Sequence, residues 1–231
     1  MQKIKEFIRK YKHAWILSYF IIYMVWFVYL ENRTSVSYFP IHIGLDDMIP
    51  FCEYFIIPYL LWFAYVAIPI VYFFFVNKND YYKCCAFLFI GMTICLIIYT
   101  FFPNQQNLRP IVFERQNIFT DIVRVIYNTD TSTNVCPSIH VLNSLGVFIS
   151  IVESESLRKN KIVCISSAIL TVLICLSTVF LKQHSVSDGL CAFGLAIVLY
   201  AFIYKADYTK FLMHIEEEEQ KTRTKQQKEI G

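Results

Sequence analysis

Ile162–Leu181 reads IVCISSAILTVLICLSTVFL and runs directly into Lys182-Gln183-His184-Ser185-Val186-Ser187-Asp188. A charge-free run of roughly 20 residues has the length a helix needs to cross the hydrocarbon core of a bilayer. Working outward, similar stretches recur at Ala14 to Leu30, Tyr54 to Val76, Cys84 to Phe102, Ser138 to Val152 and Gly189 to Tyr204. The whole chain is 56% hydrophobic and 17% aromatic with a mean hydropathy of +0.46, too apolar for an ordinary soluble domain. These features predict an all-α fold, a six-transmembrane-helix bundle over residues 14–204, flanked by a basic segment 1–13 and a charged tail 205–231. The fourth and sixth stretches are short, which is tolerable where protein covers the ends of helices that frame a polar pocket.

The first stretch follows a basic start, yet it is long, rich in Trp and Tyr, and followed by Glu31-Asn32-Arg33 without a small-residue cleavage pattern, so it reads as an anchor. Lys3, Lys5, Arg9, Lys10 and Lys12 precede it; Lys78 and Lys83 separate the second and third stretches; Arg158, Lys159 and Lys161 separate the fourth and fifth. Such cations mark cytoplasmic segments, and an even number of spans puts both termini on that side. The segments 31–53, 103–137 and 182–188 then face outward. Arg109, Arg115 and Arg124 sit in the second of these with Glu114, Asp121 and Asp130. The net charge of +3 reflects this topology and points to no nucleic-acid partner.

Two outward clusters hold histidines: Cys136-Pro137-Ser138-Ile139-His140, and the Lys182–Asp188 run. Asp188 follows His184 by four residues, a spacing that shares one helix face, so its carboxylate can hold an imidazole nitrogen. Arg109-Pro110, then Pro137-Ser138-Ile139-His140, then Ser177 with His184 and Asp188, resemble the three-part signature of the type 2 phosphatidic acid phosphatase superfamily, K-x6-R-P, P-S-G-H and S-R-x5-H-x3-D. That resemblance implies a six-helix membrane enzyme. Three positions depart from the pattern: Phe102 stands for the lysine, Ile139 for the glycine and Thr178 for the arginine. In these departures the chain is similar to the inositol phosphorylceramide synthase-like and sphingomyelin synthase-like branch.

In-line transfer of a phosphoryl group needs a nucleophile, an acid for the departing oxygen and positive charge around the equatorial oxygens. His184 is the expected nucleophile, Asp188 its orienting carboxylate and His140 the acid that then activates water or an alcohol. Arg109 and Lys182 are the expected phosphate clamps, with Ser138 and Ser177 as hydroxyl contributors. The set calls for no metal and no cofactor. The expected substrate is a lipid or lipid-like phosphate, met by an extracytoplasmic site, with the plasma membrane as the location. Transfer of a phospho-headgroup to a lipid or polyol hydroxyl is the alternative chemistry, and a non-catalytic channel or lipid carrier the alternative class.

Each residue also has a structural role open to it. A histidine at an interface can be a polar anchor, Ser138 an N-cap, Arg109 and Lys182 headgroup contacts, and Ser177 a hydroxyl bonded to its own helix. His13, His42 and His214 lack partner clusters, and Asp46 and Asp47 read as solvated loop carboxylates. Of eight cysteines, Cys84, Cys85, Cys95, Cys164, Cys175 and Cys191 read as packing residues. Cys52 and Cys136 both fall in outward segments and either pair or stand as free thiols. The Glu216 to Glu219 run reads as part of a solvated helix or disordered end.

Overall fold

The computed structural model describes residues 11–207. Most of the basic N-terminal segment and nearly all of the charged tail, with His214 and Glu216 to Glu219, lie outside the described residues.

A 3-10 stretch, Lys12–Ser18, leads into α1, Tyr19–Glu31. A short helix α2, Gly44–Met48, precedes the long antiparallel pair α3, Ile56–Val76, and α4, Lys78–Phe101. After α5, Ile118–Thr129, come α6, Ile139–Glu153, α7, Lys161–Phe180, and α8, Val186–Tyr200, which ends in a π turn, Ala201–Lys205. Among the described residues, five helical stretches are long and apolar enough to cross a membrane: Lys12–Glu31, Glu53–Val76, Lys78–Phe101, Lys161–Phe180 and Val186–Lys205. The fourth expected span, α6, is apolar but has only 15 residues.

Burial explains how a short helix holds its place. α4 and α6 form the centre of the bundle, with Phe87, Leu88, Cys95, Leu142 and Val147 almost fully buried, while α1, α3, α7 and α8 surround them. Ile21, Val25, Ile68, Phe75, Ile165, Ile169 and Ile197 point outward from those outer helices, apolar side chains suited to hydrocarbon. At the α4–α6 contact a Cβ on Gly146 would lie 2.4 Å from the Phe87 ring, so only glycine allows this approach. Hydroxyl groups between spans satisfy one another: Tyr65 Oη lies 2.5 Å from Ser167 Oγ and 2.8 Å from Thr171 Oγ1, and Tyr19 Oη 2.8 Å from Thr93 Oγ1.

The bundle has two distinct ends. At one, His13 reaches the Phe74 carbonyl, Ser154 donates to Asp80, and Lys83 stands over Tyr204. At the other, a two-residue parallel pair, β1 (Phe39–Pro40) with β2 (Asn104–Gln105), ties the segment after α1 to the segment after α4.

Three boundaries differ from the expectation drawn from hydropathy. α4 begins at Lys78 and not near Cys84, because the Asn77 side chain accepts from the Asn79 and Asp80 amides and starts the helix in polar sequence. α8 begins at Val186 and not at Gly189, capped by Ser185. The expected loop 103–137 contains α5, started by a capping box between Asn117 and Thr120. Its Val123 packs inward while Ile118 and Val125 are exposed.

Candidate active site

The second histidine cluster is held by its backbone before any side chain acts. The α7 carbonyl of Thr178 accepts from the amides of both Gln183 and His184, at 2.9 and 3.0 Å, folding the chain back at the end of the helix. Lys182 takes the left-handed conformation needed for this reversal, with φ of 53°. Gln106, 1% exposed, donates from Nε2 to the carbonyls of Lys182 and Gln183. Ser185 then caps α8, and the Asp188 carboxylate turns back to accept from the Ser185 amide at 2.9 Å.

This capping box, not a shared helix face, brings Asp188 to His184, since His184 precedes the helix. Asp188 Oδ2 lies 3.3 Å from His184 Nδ1. A closer acceptor is the Val135 carbonyl, 3.0 Å from the same nitrogen. A carbonyl can only accept, so Nδ1 carries the proton and Nε2 of the neutral ring carries the lone pair. The Val135 carbonyl is itself positioned by Asn104, whose Oδ1 accepts from the Val135 and Cys136 amides, each at 2.8 Å, and whose Nδ2 donates to the Cys136 carbonyl. Neither Val135 nor Asn104 carries a motif that sequence reasoning could have used.

His140 lies in the first turn of α6, behind the N-cap Ser138. Its ring stacks on Tyr59, with centroids 4.7 Å apart, and tilts against Trp62 at 4.4 Å. The His184 ring stands 5.6 Å away, at 60°. The two clusters, more than forty residues apart in sequence, therefore face each other across a polar cavity of about 40 Å³. Asp130, Glu31, Gln183, Ile139 and Tyr99 also line it.

Gln183 is the residue that sequence reasoning left unassigned. It is 2% exposed, and its Oε1 accepts from Arg109 Nη2, which fixes the amide with its NH2 group turned away from the arginine. That Nε2 is buried and has no partner among the described residues, and Gln183 lines the cavity with both histidines.

Arg109 stands behind Gln183. Its guanidinium donates to the carbonyls of Tyr127, Asp130 and Thr131 and lies 4.5 Å over the Tyr127 ring. Burial lowers its pKa, and the nearby Asp130 charge partly offsets this. No ion pair to Arg109 forms among the described residues, so its positive charge is met in direct contact by neutral oxygens.

The other expected binding residues are elsewhere. Lys182 Nζ donates to the carbonyls of Asp46 and Ile49, at 2.6 and 2.5 Å, and does not line the cavity. Burial lowers its pKa, while Asp46 and Asp47 act to raise it. Asp46, expected to be solvated, is 2% exposed: its Oδ2 accepts from Ser185 Oγ at 2.7 Å and its Oδ1 from the Val186 amide at 2.8 Å. A hydrogen-bonded brace from α2 thus holds the start of α8. Ser177 donates to the Ile174 carbonyl of its own helix, and Ser138 Oγ accepts from the Val141 amide, so both hydroxyls serve local structure. Thr178 is buried and bonds the Cys175 carbonyl, whereas Phe102 is 72% exposed. Cys52 and Cys136 are free thiols, and the pKa of Cys136 is pushed up by burial first and by the Asp188 charge second.

Below the polar cavity lies a much larger one of about 670 Å³ between α1, α3, α4 and α6, with apolar walls such as Phe27, Phe63, Val66 and Met92. Asp130, Ile139 and His140 border both, so the polar pocket adjoins an apolar slot. Searches of curated proteins and of solved structures found no match to this chain. The family model of the PAP2 superfamily matches residues 106–212, from the glutamine that pins the Lys182–Gln183 backbone through both histidine clusters.

Proposed function

We propose that the protein is a membrane-embedded PAP2-type enzyme that acts on a lipid or lipid-like phosphate through a phosphohistidine on His184. The observation that carries this reading is the facing pair of histidines, with Nε2 of His184 left as a lone-pair nitrogen, at the junction of a polar pocket and an apolar slot. A two-part molecule keeps its chains in the slot while its phosphate meets the pocket.

In the first step His184 Nε2 attacks phosphorus, the bond from phosphorus to the leaving oxygen breaks, and His140 gives that oxygen a proton. Asp188 stabilises the positive ring that results. In the second step His140 takes a proton from water, the new oxygen attacks phosphorus, and the P–N bond breaks to free His184. The Gln183 amide supplies a donor to the phosphoryl oxygens, and Arg109, in direct contact only with neutral oxygens, draws the anion toward it.

One observation favours transfer to an alcohol over hydrolysis. Glu31 and Asp130 line the pocket, and no lysine or arginine does so among the described residues. Two carboxylates disfavour a doubly charged monoester more than a singly charged diester. Headgroup transfer, as in the inositol phosphorylceramide synthase-like branch, is therefore the second reading.

For the topology, we count α6 as the fourth of six spans and take the end of the bundle with Lys78, Lys83, Arg158, Lys159 and Lys161 as cytoplasmic, which puts both termini inside and the histidines on the outer face of the plasma membrane. The direct test uses detergent-solubilised protein with a panel of lipid phosphates and diesters, with and without alcohol acceptors, in a chelator. Turnover that His184→Ala lowers by orders of magnitude, with an acid-labile, base-stable phosphoprotein in the His140→Ala variant, supports the reading. Retention of a tenth of the turnover in His184→Ala rejects the phosphohistidine.

A further inference from the structure

Two polar atoms on residues that line the apolar slot have no hydrogen-bond partner among the described residues. Asn143 is 1% exposed, one turn deeper on α6 than His140, and its Oδ1 is buried without a hydrogen-bond partner. Trp62 lies against His140 on the α3 side, and its Nε1 is likewise buried and unpartnered. Both residues line the 670 Å³ cavity. An unmet acceptor and an unmet donor in an apolar enclosure each cost free energy, and such groups are ordinarily paired. Here the cavity is large enough for a ligand to pair them.

The position sets what that ligand carries. Three residues along a helix correspond to a rise of about 4.5 Å, so a group that meets Asn143 lies a few bonds from an oxygen held at His140. A hydroxyl has a proton for Asn143 Oδ1 and a lone pair for Trp62 Nε1, and a secondary amide offers the same two functions through its N–H and its carbonyl. A plain alkyl or isoprenoid chain offers neither.

We propose that Asn143 and Trp62 form a recognition site for a hydroxyl or amide on the carbon next to the phosphoester, so that the enzyme selects lipids with a polar linkage over simple long-chain phosphates. This rests on the reading that a lipid phosphate occupies the histidine pocket. Substrate chains enter the slot, the linkage group satisfies the two orphan atoms, and the phosphoester oxygen is thereby set at His140.

The test reads binding first, which needs no turnover. In full-length protein carrying Trp15→Phe and Trp26→Phe, emission from Trp62 reports occupancy of the slot by lipids with brominated chains. Three ligands of equal chain length are compared: a lysophosphatidic acid with its free hydroxyl, a ceramide phosphate with its amide, and an alkyl phosphate with neither. The expected result is tighter binding of one or both polar-linkage lipids by about tenfold, the scale of a hydrogen bond to a buried partner. That preference should collapse in Asn143→Leu while alkyl phosphate affinity stays the same, which also shows that the variant is folded. Asn143→Ser should keep part of it. Hydroxyl or amide specificity is read from which ligand loses affinity. Equal binding of all three ligands, or a preference that survives in Asn143→Leu, overturns the proposal. A preserved binding preference without any phosphate turnover would instead reject the enzymatic reading and leave the recognition site standing.

Discussion

Asp188→Asn separates two roles that a carboxylate beside a catalytic histidine can play, fixing the tautomer and stabilising the positive ring. In this structure the tautomer is fixed elsewhere. The Val135 carbonyl is 3.0 Å from His184 Nδ1 and the carboxylate 3.3 Å, so the carbonyl alone keeps the proton on Nδ1. Asparagine retains an oxygen for the Ser185 amide, so the α8 cap survives, and the helix loses only a charge near its N-terminus, worth about 0.3–1 kcal/mol. What the variant removes from catalysis is charge. A full charge at 3.3 Å and an effective dielectric of about 20 contributes roughly 5 kcal/mol as a ceiling. The net value of a hydrogen bond to a charged group is about 1.5–3 kcal/mol, which corresponds to a fall in turnover of roughly 10- to 150-fold. Initial rates on the best substrate of the panel, with thermal unfolding as a control for folding, measure it. A loss near 10⁴-fold, the size found where the wrong tautomer results, would refute the assignment of that task to Val135.

Gln183→Leu should lower turnover by about 10²-fold or more, the cost of one transition-state donor, and lower stability by about 1.5–3 kcal/mol because Arg109 loses an acceptor; a folded variant as active as wild type would remove Gln183 from the site. Lys182→Met should act on stability by about 1–3 kcal/mol, because two backbone carbonyls lose their donor, and leave turnover within a few-fold; loss of turnover by orders of magnitude in a stable variant would restore Lys182 as a phosphate clamp. Gly146→Ala should destabilise by about 1–3 kcal/mol through the clash with Phe87, read from detergent unfolding curves, and an unchanged midpoint would contradict the close α4–α6 approach. In a cysteine-free background, single cysteines replacing Asn79, Asn128 or Asn160 should react with an impermeant reagent in intact cells only at position 128; reaction at 79 or 160 would invert the topology.

The polarity of the chain was legible in the sequence because a bilayer imposes its length and composition on each helix separately. Runs such as Ile162–Leu181 needed no knowledge of their neighbours. The residue types of the two histidine clusters were legible for the same reason, since each motif is local. What could not be read was every contact made across the fold. Asp46 looks solvated in sequence, and only tertiary structure carries it to the start of α8, more than a hundred residues away. Lys182 and Arg109 look equivalent as cations near a histidine, yet backbone carbonyls from different segments draw Lys182 away and hold Arg109 behind Gln183. The tautomer of His184 depends on a carbonyl, which every residue possesses and no motif distinguishes. Helix limits failed where side-chain caps overrode hydropathy, at Asn77, Asn117 and Ser185. Sequence alone determined the solvent and the inventory of reactive groups, because both are set within a few turns of chain. Which of those groups face one pocket was decided by tertiary structure, because packing at α4 and α6 and hydrogen bonds between distant loops fix where each local motif points.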